Sequence, residues 1–112
     1  MGLAYAILRG YIMSEVMKEL RNRELYETAL NAFIEARTEL IEATNDYDTK
    51  RHAARKSLYD MKEAGVRKMT EEQIRSEATV MCREVYERYN KALGDAEIAR
   101  ERLEFVKAII NR

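Results

Sequence analysis

Proline is absent from this 112-residue chain and glycine occurs only four times. A compact sheet protein of this length needs many tight turns, and turns draw heavily on those two residues. Cysteine occurs once, at Cys82, so no disulfide forms within the chain and nothing points to an oxidising compartment. Histidine also occurs once, at His52, which excludes a histidine-rich metal site and leaves a serine-histidine-aspartate arrangement a single candidate base. No serine sits in a glycine-flanked elbow, and no glycine-rich loop is available to cradle a phosphate. Net charge is zero as well, so no overall field draws the chain to a polyanion or a membrane surface. Long hydrophobic runs are also missing. The opening Leu3-Ala4-Tyr5-Ala6-Ile7-Leu8 lacks a basic flank, is interrupted by Arg9, and is too short to cross a bilayer. These absences leave no case for an enzyme, a cofactor, a metal, a small-molecule substrate or a membrane span, and they suggest a cytoplasmic protein.

What is present is charge and helix formers. Charged residues make up 36% of the chain and hydrophobic ones 46%, with abundant Ala, Glu, Arg and Leu. That mixture describes long helices with solvated faces. A clear interruption falls at residues 65–69. Gly65 suits the left-handed end of a helix, with Lys62 in the preceding turn. Thr70 then reads as an N-cap, completed by Gln73 and followed by Glu71 and Glu72 in the first turn.

Ahead of that turn runs a seven-residue repeat: Tyr26, Phe33, Leu40, Tyr47, Ala54, Met61, each followed three residues later by a mostly small residue. After it the repeat returns as Ala78, Val85, Ala92, Ala99, Val106, flanked by Cys82, Tyr89, Ala96, Leu103 and Ile110. Large residues facing small ones favour a close, coiled-coil-like pair. Helices over 24–64 and 70–111, joined by a short turn, must lie antiparallel. Gly94-Asp95 is a weak point in the second helix. Residues 3–22 form a further amphipathic helix, with a break at Asn22 or a continuous run through it as the alternatives. The expected fold is therefore all-α: a long antiparallel helical hairpin plus an N-terminal amphipathic helix. A hairpin alone cannot bury this much apolar surface, so either the N-terminal helix folds back as a third member or several chains assemble, and a homo-oligomer is the favoured expectation. Tyr5, Ile7, Leu8, Tyr11 and Ile12 are its candidate oligomer or partner contacts.

The neutral total hides segregation. Residues 14–49 hold nine acidic and four basic side chains, whereas 50–68 hold seven basic ones against Asp60 and Glu63. Those seven are Lys50, Arg51, Arg55, Lys56, Lys62, Arg67 and Lys68. Arg51, Arg55 and Lys62 share a helical face with Tyr59 beside them. Cations neutralise phosphates and a tyrosine ring can stack an unpaired base, the two elements of sequence-independent single-strand binding. The plainer alternative is that cations near a helix C-terminus simply complement its dipole.

Three stretches carry a family likeness. Ala54-Arg55-Lys56-Ser57-Leu58-Tyr59, then Gly65-Val66-Arg67-Lys68, then Ala108-Ile109-Ile110-Asn111-Arg112 follow in an order that resembles the recombination-mediator proteins of tailed bacteriophages, over residues 25–112. That resemblance implies a ring-forming protein of a phage-infected host that binds single-stranded DNA and helps load a recombinase. The alternative is a structural or adaptor module that docks on another protein through its apolar N-terminal helix.

Overall fold

The computed structural model describes residues 2–111 and contains three helices: α1 (Gly2–Glu63), α2 (Glu71–Met81) and α3 (Arg83–Ile110). The chain is all-α, a helical hairpin whose first arm is α1 and whose second is α2 followed by α3. It comprises two compact units.

The unit of residues 35–97 contains the turn. Gly65 adopts φ 72, and two hydrogen bonds close the end of α1 around it. The Gly65 amide donates to the Lys62 carbonyl and the Val66 amide to the Met61 carbonyl, the paired bonds of a Schellman stop. Thr70 restarts the helix with a full capping box, its hydroxyl accepting from the Gln73 amide while the Gln73 side chain accepts from the Thr70 amide. Between stop and start, Met69 turns inward. It joins Ala54, Leu58, Ile74, Ala78, Cys82 and Val85 in one buried cluster, with Tyr47 and Tyr59 packed against it. The heptad pattern slips here. Ser57, Met61 and Ala64 are exposed although the repeat assigns them to the seam, because Met69 and Ile74 close over Ala54 and Leu58 instead.

Further from the turn, the arms are joined by Arg88 on α3. Its Nε donates to Glu39 at 2.8 Å and its Nη1 to Asp46 at 2.6 Å, with Glu42 at 3.9 Å. One guanidinium thus spans three successive turns of α1. The Glu39 carboxyl is held below its ordinary value, chiefly by the Arg88 hydrogen bond. Tyr47 stacks on Tyr89 with ring centroids 5.6 Å apart and meets Tyr86 at 5.5 Å. Outside the cluster the buried positions of this unit are small: Ala43, Ala92 and Ala96. Small residues let helix axes approach closely.

The other unit brings residues up to Ile34 together with those from Ile98 onward. Ala99 and Leu103 are buried there, and Tyr26, Ala29, Leu30 and Phe33 are half-buried on α1. An open cleft lined by Glu19, Asn22, Tyr26, Lys107, Ile110 and Asn111 marks where α3 gives out along α1.

The structure decides one alternative and adds one interruption. α1 runs unbroken through Asn22, so residues 3–22 are the first third of the long helix and not a separate element. Asparagine costs only a fraction of a kcal/mol against alanine, on the order of 0.7, and extending an existing helix needs no new nucleus. The second arm is interrupted at Cys82, and α3 is continuous through Gly94-Asp95. The Cys82 amide is shared between the Ala78 and Thr79 carbonyls at 3.1 and 3.2 Å, a local tightening with φ −100 and ψ 13. No glycine or proline announces it. The thiol itself is buried.

Ile74 is the largest fully buried side chain, 1% exposed. Ile74→Ala is expected to lower unfolding free energy by about 2–5 kcal/mol. Gly65→Ala forces a Cβ into a left-handed conformation and is expected to cost about 1–2 kcal/mol. Urea unfolding followed by circular dichroism measures both. A smaller loss for Ile74→Ala than for Gly65→Ala would contradict this account of the core.

Candidate nucleic-acid interface

The basic residues of 50–68 lie on the last four turns of α1 and in the turn, where the helix is well formed and the side chains project by helical spacing. At 100° per residue, Arg51, Arg55 and Lys62 fall in one narrow sector, next to the buried Leu58 row. Lys50 and Lys56 point to other sectors. All of these cations are exposed. Among the described residues Lys50, Arg55, Lys56, Lys62 and Lys68 make no ion pair.

Three of the expected contact residues are already engaged. Tyr59 is half-buried against the core cluster, and its hydroxyl donates to Glu71 Oε2 at 2.8 Å. That bond, with partial burial, raises the phenol above its ordinary 10.0. A ring fixed in this way is not a platform for an unstacked base. Arg67 donates from both Nη atoms to the two carboxylate oxygens of Glu77, at 2.8 and 2.5 Å, so its charge is largely answered within the chain. Arg51 lies 5.3 Å over the Tyr47 ring centroid and 3.8 Å from Asp48. The first contact orients its guanidinium without cancelling its charge.

The structure adds one residue that the sequence did not single out. Arg75, on α2, acts on the Tyr59 phenol together with Arg55 of α1, both opposing the upward shift. Arginines from the two arms therefore both act electrostatically on the same tyrosine. Arg51, Arg55 and Lys62 share one face of α1, and Arg55, Lys62 and Arg75 have no ion-pair partner among the described residues. Arg75 was illegible beforehand because its position depends on which residue of α2 falls opposite Tyr59. The depression beside the turn has mixed sign: Glu72 and Glu77 line it as well as Arg67 and Lys68, so it does not favour an anion.

The candidate assembly residues behave differently. Tyr5, Ile7, Leu8, Tyr11 and Ile12 are each more than half exposed, and every residue from 2 to 21 is exposed. Among the described residues no group of three or more His, Cys, Asp or Glu side chains could hold a metal ion, and no helix is long and apolar enough to cross a membrane. No protein-family model matches the sequence, and no significant match is found among curated proteins or solved structures.

The raised Tyr59 value has a sign. A proton held more tightly in the folded state contributes stability that is complete below the ordinary tyrosine range and is lost as pH rises through the higher folded value. Wild type should therefore lose more melting temperature than Tyr59→Phe between pH 9 and 11, measured by circular dichroism. Parallel losses in the two proteins would mean the Tyr59–Glu71 bond contributes nothing.

Proposed function

We propose that this chain is a non-enzymatic accessory protein that binds single-stranded nucleic acid at the closed end of its hairpin. The observation that carries the reading is the exposed row of Arg51, Arg55 and Lys62 on one face of α1, taken with Arg75 of α2 as one cationic strip because Arg55 and Arg75 act on the same phenol. Lys50, Lys56 and Lys68 supply further exposed charge around it. The mechanism is phosphate neutralisation with release of condensed counterions. Base stacking on Tyr59 drops out, since that ring is bound to Glu71. The likeness to phage recombination mediators is compatible with this reading and would make single-stranded DNA the ligand and a recombinase the protein partner.

Four phosphate contacts on a single strand predict a salt slope near −3, or an affinity loss of about 50-fold between about 50 and 200 mM salt. Fluorescence anisotropy of a labelled single-stranded oligonucleotide measures it. Arg55→Glu combined with Arg75→Glu should abolish binding with helicity intact, while Arg100→Glu, on α3, should leave it unchanged. Unchanged binding in the double variant would refute the strip as the contact surface, and absence of binding at the lower salt would end the nucleic-acid reading.

A second reading rests on a separate observation. The exposure of every residue from 2 to 21, ten of them large and apolar, fits a module that docks on another protein chain through its N-terminal helix.

A further inference from the structure

Between Leu3 and Met13 only Arg9 is charged, and apolar side chains occupy nearly every side of the helix. A helix of that kind is ordinarily buried, yet Leu3 is 78% exposed and Met13 and Met17 are each 53% exposed. Within this stretch one row has the alternating spacing of a helix-pairing seam: Leu3, Ala6, Gly10, Met13, Met17, Leu20. At 100° per residue it occupies a sector of roughly 100°, on the side of α1 away from the half-buried Tyr26, Ala29 and Phe33. Its limits are sharp. The next two positions of the same row are Glu24 and Glu27, so the apolar seam ends at Leu20.

We propose that this seam binds a second copy of itself, antiparallel, about a two-fold axis between Tyr11 and Ile12. The inference deepens the docking reading by naming the partner, and it is independent of the nucleic-acid reading. Size complementarity is the first argument. About that axis Gly10 lies level with Met13 of the other copy, Ala6 with Met17, and Leu3 with Leu20, so each small residue receives a large one. A parallel pair would set glycine on glycine and alanine on alanine, leaving a gap across two turns. Charge is the second argument. The antiparallel register places Arg9 level with serine, Glu15 with leucine and Lys18 with tyrosine, whereas a parallel register sets each charge level with its own like.

Gly10 is the third argument. A mid-helix glycine costs about 1 kcal/mol against alanine, and a Cβ built there meets nothing within 4 Å. The chain's own packing therefore gives Gly10 no reason to lack a side chain, while a methionine seated on it from another copy does. Eighteen residues of paired helix extend about 27 Å. The seam would bury a few hundred Å² per copy, below the roughly 800 Å² of a standard interface. The expected product is a reversible dimer in the micromolar range.

Sedimentation velocity on the full chain, from about 1 to 300 µM, tests this without oligonucleotide present. Wild type should pass from monomer to dimer. Met13→Glu with Met17→Glu should remain monomeric with unchanged helicity. Gly10→Leu should raise helicity yet weaken the dimer at least tenfold, a combination that general hydrophobic adhesion would not produce. A wild-type chain that stays monomeric throughout overturns the proposal. A dimer that survives these variants but dissociates on Leu8→Glu with Ile12→Glu overturns this seam and leaves the docking reading standing. A dimer that survives all of them overturns both.

Discussion

The capped turn between Met61 and Gln73 sets the register of the unit that contains it. Two local motifs fix it from opposite sides. The Schellman bonds around Gly65 stop α1, and the Thr70–Gln73 box starts α2, leaving little freedom in between. Once those ends are placed, Met69 falls over Ala54 and Leu58, and Tyr59 falls opposite Glu71. A slip of one residue in α2 would rotate Ile74 out of the core by roughly 100°. The action of Arg75 on the Tyr59 phenol depends on the same register.

Features determined by neighbours in sequence were legible before the structure was known. Gly65, Thr70 and Gln73 announce the turn through chemistry confined to a dozen residues. The seam of α3 shows as a heptad of small residues because close helix packing tolerates little else. Features determined across the two arms were not legible. Arg88 shows no distinguishing mark in the sequence, and its three carboxylates lie 42 to 49 residues away. The same holds for Arg75, and for the engagement of Arg67 by Glu77. Cys82 is illegible for another reason: a single shared amide suffices to interrupt a helix, and no residue type is required for it.

Asn22 illustrates how a weak local signal yields to cooperativity. As a break it competes with the propagation of a helix already nucleated on both sides, and a cost on the order of 0.7 kcal/mol does not stop that. A broken helix could have folded back and buried Leu3 to Leu20 within the chain. A continuous one carries them past the point where α3 ends, beyond the reach of the chain's own core. The unburied apolar surface is thus a product of helix continuity.

Two copies change what a modest cationic strip can do. In the proposed mechanism, four charges on one subunit confer weak, salt-sensitive attraction for a strand of phosphates. When two subunits are tethered, the second strip meets the same strand at an effective concentration set by the geometry of the tether, and avidity can exceed the single-site affinity by about 10²–10⁴ without any new contact. The gain requires the strand to span both strips, so short oligonucleotides should not show it and long ones should. Binding that strengthens with strand length in wild type, but not in the monomeric Met13→Glu/Met17→Glu variant, would join the two surfaces into one mechanism. Length dependence that persists in the monomer would mean that the strips act one at a time.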